Sequence, residues 1–402
     1  MNYETIKTEL EAILAGDVSI DSQDRTDLSV DWSLFKIMPD MIVYPKNTDD
    51  LKKLVSYVND YNETPKGKLT LTARAAGSGM SGGSLNHGII VDVTRYMNDF
   101  VKLEKADFGT QTHRGNFAYP IVGKVTAQPG MKYIPFEEKT LEQDMIMPTF
   151  PASRKLCAIG GMVANNGAGE KSLKYGQNKD FVDSLRVVLS DGNEYDIRPM
   201  NFAELSRLVK QDNLLANIAR EAYALVKTNW QLIQDKRPIT AKNSAGYLVW
   251  DVTDAPSIEK FESGIGTFDL TKLIVGAQGT TGIISEITYK LTRKEDREEM
   301  IVMFVNDIHQ LPKIVEVLGK HDLDTIELYD DHTFKIGVKF FKDFVKDKGL
   351  FGAIKYSVRF LPEFWLAVTG GVPKFVVLAE SADEDKNRVH QDVLAEFADL
   401  KK

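Results

Sequence analysis

Hydrophobic residues recur every three or four positions in several stretches of the chain, the spacing that gives a helix one apolar face. Residues 3–14 show this pattern, and residues 47–61 repeat it after Asn47, whose side chain suits the start of a helix. Residues 202–230 carry the longest such pattern. We therefore predict helices over these three stretches.

Short apolar runs bounded by proline, glycine or aspartate predict strands between these helices. The runs lie at residues 41–44, 69–73, 89–93, 185–189, 194–197, 273–275 and 283–291. Asp191 and Gly192 separate two of them and favour a tight turn, so we predict a hairpin there. Helices and strands mixed in this way predict an α+β fold class.

A run of charges at residues 293–299 separates a further group of elements from those before it. Beyond it, we predict strands at 300–305, 325–328 and 374–379 and helices at 310–318 and 383–400. We place a domain boundary in this charged run. The predicted division is a helical lead-in at 1–35, a main domain at 36–293 with halves at 36–135 and 136–293, and a smaller domain at 294–402.

Composition excludes several classes of protein. The chain has 402 residues, with 50 Lys and Arg against 58 Asp and Glu, and its net charge of −8 argues against a nucleic-acid partner. Cys157 is the one cysteine, so no disulfide can form within the chain, and we expect a reducing compartment. The N-terminus does not resemble a secretory signal, and no run approaches the ~18 apolar residues of a membrane-spanning helix.

A glycine-rich segment at residues 74–84 follows one predicted strand and precedes the next. Consecutive small residues expose backbone N–H groups, which can form a nest for a phosphate or pyrophosphate. A Rossmann loop would lead into a helix, but the few residues between Gly83 and the strand at residue 89 cannot form one. The residues alone support a phosphate-binding loop and an ordinary flexible loop about equally.

The second glycine-rich segment, at residues 158–172, ends in a sequence that superficially matches a Walker loop. That loop requires glycine directly before lysine. Here Glu170 separates Gly169 from Lys171, so we exclude a nucleoside triphosphatase.

A third glycine-rich segment, at residues 276–282, joins two predicted strands. Glycine permits the backbone to approach a ligand closely. Three such segments at strand ends therefore predict one long ligand that is approached by backbone at several places.

These segments, with shorter motifs between them, resemble those of the FAD-linked oxidases of the vanillyl-alcohol-oxidase and p-cresol-methylhydroxylase type. Within that family, the chain is similar to the branch of D-lactate dehydrogenases, the glycolate oxidase catalytic subunit and D-2-hydroxyglutarate dehydrogenase. The matching motifs follow family order at residues 39–45, 74–84, 128–130, 151–154, 159–166, 174–176, 191–192, 242–247 and 276–286. The resemblance implies a two-subdomain FAD-binding fold over residues 36–293, followed by a partial α/β cap domain over residues 294–402.

The resemblance also implies which residues contact the cofactor. The first segment would bind the FAD pyrophosphate, the second would line the flavin and its ribityl chain, and the third would add backbone contacts. The positions carried over are Ala75, Ala76, Gly77, Ser78, Gly79, Gly83, Ser84, Pro148, Cys157, Gly160, Gly161, Asn165, Asn166, Gly169, Gly282, Ile283 and Ile284. Relatives that hold FAD covalently often carry a histidine where this chain has Ser78, so we expect noncovalent FAD.

Departures from the family pattern affect the rest of the site. Gln278 stands where many relatives have glutamate, and residues 108–124 look like an insertion. Relatives continue beyond the point that corresponds to residue 402, with a segment that supplies metal ligands and the catalytic histidine. The six histidines of this chain are His87, His113, His309, His321, His332 and His390. Because none pair at metal-ligand spacing, we expect no metal site. The resemblance implies that the later segment completes the substrate site, so we expect that site to be incomplete here and assign no catalytic residue.

The resemblance implies an FAD-dependent dehydrogenase that oxidises a 2-hydroxy acid, with D-lactate, glycolate or a similar D-2-hydroxy acid as substrate. Electrons would pass to a quinone, a flavoprotein or a cytochrome. We expect a cytoplasmic protein. The basic and aromatic residues 351–374 have two interpretations, contact with the inner face of a membrane or packing in a core. The alternative is a noncatalytic FAD-binding fragment, or one half of a split flavoenzyme that a partner chain completes.

Four side chains near these motifs each have two interpretations. Cys157 is more often a small core residue than a redox group in such a position. Arg154, Lys171 and Lys242 could face a substrate carboxylate, or they could lie on a solvated surface.

Overall fold

The computed structural model describes residues 2–65, 67–113, 117–240, 242–295, 297–340, 373–383 and 385–401. The chain divides into two compact units, one of residues 1–113 with 118–294, and one of residues 114–117 with 295–402. Each unit has its own sheet and its own helices. Helices and strands are mixed along the chain, so the expected α+β class is confirmed.

The chain up to residue 294 contains the larger share of the helices and strands. Its helices are α1 (Tyr3–Ile13), α2 (Ser22–Asp27), α3 (Thr48–Glu63), α4 (Tyr133–Leu141), α5 (Ile159–Ala164), α6 (Ser172–Tyr175), α7 (Asn178–Phe181), α8 (Phe202–Leu208), α9 (Leu214–Thr228), α10 (Trp230–Asp235) and α11 (Ile258–Glu262). Its strands are β1 (Asp17–Ser19), β2 (Met41–Tyr44), β3 (Leu71–Arg74), β4 (Ile89–Asp92), β5 (Phe100–Lys105), β6 (Thr110–His113), β7 (Phe117–Pro120), β8 (Gly123–Ala127), β9 (Met145–Ile146), β10 (Val182–Val188), β11 (Glu194–Ile197) and β12 (Ile283–Arg293).

The first sheet has the strand order β1-β2-β4-β3, with β2, β4 and β3 parallel. Helix α3 begins at its predicted cap, because the Asn47 side chain accepts a hydrogen bond from the Asp50 backbone N–H at 3.1 Å. The apolar stripe of α3 packs with α1 over strands β2 and β4, where Leu54 and Val91 are fully buried. Parallel strands β3 and β4 are joined by residues 75–88 without a helix, so the first glycine segment lies at the carboxyl end of β3.

The second sheet is antiparallel, with the strand order β11-β10-β12-β8-β5 and β9 paired to the end of β12. The predicted hairpin is confirmed, since Leu185 pairs with Ile197 across the turn at Gly192. The core under this sheet is aromatic, with Phe136 and Tyr289 fully buried. Strand β12 is tied to the start of α7, where the Tyr289 hydroxyl donates to the Asn178 side-chain oxygen at 2.6 Å.

The second unit is a sheet covered by helices. Its strands are β13 (Arg297–Val305), β14 (Thr325–Asp330) and β15 (Phe375–Asp383), and its helices are α12 (Leu311–Leu318), α13 (Asp331–Lys339) and α14 (Lys386–Leu400). The antiparallel order is β13-β15-β14, with α14 packed on β13 and β15. The Ser381 hydroxyl donates to Glu396 on α14 at 2.7 Å, and burial raises the pKa of that carboxyl. Most of the proposed membrane-contact segment, residues 351–372, lies outside the described residues.

Two predictions about secondary structure were wrong. Residues 273–275 form the end of a 3-10 helix and a turn rather than a strand, because Asp269 caps the 3-10 helix at Leu270–Leu273 and the Thr271 carbonyl accepts the N–H groups that follow. The predicted helix over 202–230 is broken, since Asn213 caps a new helix by accepting the Ala216 N–H at 2.9 Å. Residues 17–31 also contain β1 and α2. Among the described residues, no helix combines the length and apolar character needed to cross a bilayer.

Candidate functional site

The three glycine segments meet in one cleft of the larger unit. The cleft is open to solvent and has a cavity volume of about 250 Å³. That volume lies just below the ~300–1,000 Å³ typical of ligand sites. Its walls come from the loop after β3, from α5 and its flanks, and from the loop before β12.

Most of the positions that the resemblance carried over line this cleft. They are Ala75, Ala76, Gly77, Ser78, Gly79, Gly83, Ser84, Cys157, Gly160, Gly161, Asn165, Gly282, Ile283 and Ile284. Residues from three distant parts of the sequence are thus brought together, as expected for one long ligand.

Pro148, Asn166 and Gly169 do not lie among the residues that line the cleft. Pro148 is buried. Asn166 has a φ of 48° and is buried, and its side chain accepts the Lys179 N–H at 3.0 Å. A side chain on Gly169 would collide with the Phe150 carbonyl. The buried Asn166 side chain and the crowded Gly169 thus serve packing in this structure rather than lining the cleft.

The loop after β3 presents backbone donors to the cleft. Across the described part of the chain, no acceptor receives a hydrogen bond from the backbone N–H groups between Ala76 and Ser84. Gly77 has a φ of 65°, a conformation that glycine adopts without strain. Consecutive N–H groups of this kind form a concave site for an anion.

The loop before β12 is tied to the end of α5. The N–H groups of Gly276 and Gln278 donate to the carbonyls of Val163 and Ala164 at 3.0 and 2.9 Å. The Gln278 side chain crosses to the first loop, where its Oε1 accepts the Ser81 hydroxyl at 3.3 Å. Gln278 therefore links all three glycine segments, a role that its sequence position did not reveal.

Two glycines and one hydroxyl test whether the cleft fits a bound cofactor. A Cβ on Gly79 would meet only the end of the Asn165 side chain, at 3.3 Å, and a Cβ on Gly161 would meet only Ala75, at 3.6 Å. Packing therefore does not require glycine at these two places, whereas close approach of a ligand does. Among the described residues, the Thr281 hydroxyl in the cleft wall is buried without a hydrogen-bond partner. A polar ligand would supply that partner.

Gly160 and Gly83 differ from these two glycines. A Cβ on Gly160 would lie 2.6 Å from the Pro129 side chain, and a Cβ on Gly83 would lie 2.9 Å from the Gln278 amide oxygen. Glycine at these two places lets parts of the protein pack together.

Several cleft residues lie outside the sequence motifs, among them Asp31, Val93 and Ile274. Ser153, Met162, Gln278 and Thr281 lie within motifs but were not assigned to the cofactor. Asp31 precedes the motif region, so only the folded structure places it here.

The charged and nucleophilic side chains near the cleft have protein partners. Burial raises the pKa of the Cys157 thiol to about 11, so this thiol is neutral at physiological pH. Arg154 donates to the buried Glu137 carboxylate at 3.1 Å, and Lys242 donates to the Gly169 carbonyl at 3.1 Å. Lys171 also has an interaction within the protein. Among the described residues, no group of three His, Cys, Asp or Glu side chains is placed to hold a metal ion.

Residues 39–198 match the family described as an FAD binding domain. The chain is 29% identical over 293 residues to a D-2-hydroxyglutarate dehydrogenase of Pantoea ananatis. The aligned region covers 72% of this chain and 26% of that protein. It is 22% identical over 305 residues to the glycolate oxidase subunit GlcD of Bacillus subtilis, covering 75% of this chain and 48% of that one. A mitochondrial D-lactate dehydrogenase [cytochrome] of Saccharomyces cerevisiae is 23% identical over 305 residues, covering 74% of this chain and 38% of that one.

Among solved structures, an alkyldihydroxyacetonephosphate synthase superposes over 100% of this chain and 59% of its own, with a TM-score of 0.62 and 16% identity. This likeness shows the fold alone. The chain spans about a quarter to a half of the length of the curated relatives it matches. The family resemblance and the FAD cofactor inferred from sequence are confirmed by the domain match.

Proposed function

We propose a function from the premise that residues 39–198 are an FAD-binding domain of the vanillyl-alcohol-oxidase type. The chain is the flavin-binding part of an oxidoreductase that oxidises a 2-hydroxy acid, the D-isomer being preferred. The observation that carries the proposal is the meeting of three glycine segments in one cleft. The named activities of the similar proteins supply the substrate class.

The residues of this chain would hold FAD along the cleft. The unpaired N–H groups between Ala76 and Gly83 would bind the pyrophosphate, because they present a concave row of donors. Gly79 and Gly161 leave room for the ligand against the backbone, and the Thr281 hydroxyl gains a partner. Bound FAD supplies the chemistry of the reaction, since it accepts a hydride from the carbon that bears the substrate hydroxyl.

Apolar residues of the cleft keep water from the ring system of the cofactor. Met162, Ile274 and Ile283 line the wall, and each is largely buried. The neutral Cys157 thiol adds to this surface and is not a proton acceptor, because burial raises its pKa to about 11. We assign no described residue as the base that takes the hydroxyl proton.

Noncovalent attachment follows from Ser78, which lines the cleft and cannot form the link made by a histidine. The electron acceptor is proposed as a quinone, a flavoprotein or a cytochrome, and one relative is named for a cytochrome. The proposed location is the cytoplasm, with contact at a membrane face as an alternative.

Anaerobic spectroscopy of the purified chain tests this function. D-2-hydroxyglutarate, D-lactate and glycolate are added separately, and loss of the flavin absorption band is followed over time. Because no described residue is assigned as the base, we expect little or no bleaching by this chain alone, and rapid bleaching by the same chain extended to the length of its relatives, with none from L-lactate or L-2-hydroxyglutarate. Rapid bleaching of the chain alone would show that its own residues already form a working substrate site, and flavin that stays oxidised with every acid in the extended chain would contradict the enzymatic proposal.

The second candidate function is a noncatalytic FAD-binding module that a partner completes. It is favoured by the chain's coverage of only a quarter to a half of its relatives. Bound flavin that no hydroxy acid reduces even in the extended chain, but that becomes reducible when a separate partner chain is added, would support this candidate.

A further inference from the structure

Asp31 places a carboxylate in the wall of the cleft, ahead of the residues that match the FAD binding domain. It lies on residues 28–37, which we name the strap. The strap closes on itself, because the Ile37 N–H donates to the Ser29 carbonyl at 2.8 Å and Val30 bridges to Lys36. The position of Asp31 is therefore set by local hydrogen bonds.

The strap is also fixed to the first glycine loop. The buried Arg74 guanidinium donates to the carbonyls of Leu28 and Val30 at 3.2 and 2.8 Å. The Trp32 N–H donates to the Gly77 carbonyl at 3.2 Å. These contacts hold Asp31 against the end of the loop at Ser84.

Asp31 and Ser84 together form an end of the cleft that accepts hydrogen bonds. The Ser84 hydroxyl donates its one proton to Asp31 Oδ2 at 3.1 Å, and Asp31 Oδ1 accepts the Ser33 N–H at 2.8 Å. A carboxylate oxygen and a hydroxyl oxygen both have further lone pairs to offer. A phosphate brings only negative charge and acceptors to such a place, so it is disfavoured there. A sugar hydroxyl brings the donor that this end lacks.

The first loop thus offers different hydrogen-bonding groups along its length. Its middle, from Ala76 to Gly83, offers N–H donors, and its end at Ser84 offers acceptors. Arg74 also lines the cleft, and its positive charge attracts the Asp31 carboxylate. FAD has the matching division, with a pyrophosphate between two sugar chains that carry hydroxyl groups.

We propose that Asp31 accepts a hydrogen bond from a sugar hydroxyl of FAD, and so fixes how the dinucleotide lies in the cleft. A carboxylate that binds a ribose hydroxyl is the arrangement used in dinucleotide sites of other folds. The inference rests on flavin binding, and it does not depend on which hydroxy acid is oxidised.

The test is a binding titration of the full chain after removal of flavin, by calorimetry. The variants are Asp31→Asn and Asp31→Ala, with Asp27→Asn as the matched control on an exposed aspartate of α2. The ligands are FAD, ADP, FMN and inorganic pyrophosphate. We expect Asp31→Ala to weaken FAD binding on the order of tenfold, since a hydrogen bond to a charged group is lost. Pyrophosphate binding should stay unchanged, and Asp27→Asn should match the wild type.

The remaining arms identify the hydroxyl. If the Asp31 variants bind ADP more weakly, the hydroxyl that Asp31 binds belongs to the ribose. If they bind FMN more weakly and ADP as well as the wild type does, that hydroxyl belongs to the ribityl chain. Wild-type FAD affinity in both variants would overturn the proposal. An equal loss of affinity for FAD and pyrophosphate would also overturn it, because the strap would then have only a structural role. Tighter binding of both ligands would overturn it as well, because Asp31 would then only repel their negative charge.

Asp31→Asn keeps the acceptor for the Ser33 N–H, so it serves if Asp31→Ala does not fold, with circular dichroism as the check. Failure of the wild-type chain to bind FAD would instead refute the cofactor. Flavin that binds normally but is not reduced by any hydroxy acid in the chain extended to the length of its relatives would refute only the proposed function.

Discussion

Individual glycines in the cleft have different physical roles, although they look alike in sequence. Gly77 adopts a positive φ, Gly160 lets Pro129 pack closely, and Gly79 and Gly161 face open space. Only the last kind indicates a ligand directly, because nothing in the protein itself excludes a side chain there. Substitutions at single residues can therefore separate effects on ligand binding from effects on folding.

Gly79→Val should abolish flavin retention and leave the fold intact. The added side chain points into the cleft and meets only the movable end of Asn165 within the protein. Absorbance of the purified variant at the flavin band, normalised to protein, measures the effect, and circular dichroism checks the fold. Wild-type flavin content would show that this loop does not contact the cofactor.

Thr281→Val should weaken FAD binding about tenfold, because the variant keeps the side-chain shape and removes a hydroxyl that only a ligand can satisfy. The free energy of unfolding without flavin should stay equal or rise slightly, since a buried unpartnered hydroxyl is lost. Fluorescence titration with FAD and thermal unfolding of the apoprotein measure the two effects. Lower apoprotein stability would mean that Thr281 has a structural partner.

Lys290 should make the stability of the protein depend on alkaline pH. Burial lowers the pKa of its ammonium to about 8, the positive charge of Lys272 adds to this, and Asp180, Asp183 and Asp269 oppose it. An unfolded lysine has a pKa near ~10.4, so the folded state binds fewer protons between these values. By linkage, the contribution of Lys290 to stability rises with pH from about 8 to ~10.4 and is lowest below 8.

Lys290→Met should therefore stabilise the protein at pH 7 by roughly 1–3 kcal/mol, with the gain disappearing by about pH 10. Urea unfolding at both pH values measures this difference. The exposed Lys210→Met serves as the matched control and should show no such pH dependence. An equal effect of Lys290→Met at both pH values would contradict the buried charge as its cause.

At the scale of elements, helix α5 connects the core of the second sheet to the cleft. One of its neighbouring glycines faces the core and the other faces the ligand space. Gly160 donates its N–H to the Pro129 carbonyl at 2.9 Å, whereas Gly161 faces the first loop across open space. The short helix thus places a packing surface and a binding surface on successive residues.

The pair Gly160→Ala and Gly161→Ala should separate these two surfaces. Gly160→Ala should lower the free energy of unfolding by about 1–3 kcal/mol, because its Cβ would overlap the Pro129 side chain. Gly161→Ala should leave stability unchanged or raise it by up to ~1 kcal/mol through helix propensity, yet weaken FAD binding. Chemical unfolding and FAD titration on both variants form the test, and the opposite assignment of effects would contradict this geometry.

At the scale of the whole molecule, the chain has two compact units with separate sheets. The cofactor cleft lies entirely within the unit formed by residues 1–113 and 118–294. A ligand that binds only the folded cleft stabilises this unit by mass action. FAD and FMN can therefore be distinguished by how much each of them stabilises the intact protein.

The purified chain should release FAD, not FMN, on denaturation, with no flavin left on the polypeptide. Mass spectrometry of the supernatant and of the protein measures both points. FAD at about 100 times its dissociation constant should add ~2.7 kcal/mol of stability to the flavin-free chain, whereas FMN should add less. An FMN mass, or flavin that stays on the protein, would contradict the predicted noncovalent FAD.

The sequence by itself determined the elements that depend on local chemistry. Asn47 capped α3 where predicted, because its side chain satisfies an N–H three residues away. The alternating and continuous apolar runs marked most strands, since burial of one face follows directly from spacing. The glycine segments and their motifs predicted a resemblance to FAD-binding domains and FAD as the cofactor, and residues 39–198 match an FAD binding domain.

Only the tertiary structure decided which residues from distant segments touch. The Ser81 contact with Gln278, the place of Asp31 in the cleft and the packing of Gly169 against Phe150 join positions that no local pattern relates. Such contacts depend on the sum of all packing around them, which no single segment of the sequence contains.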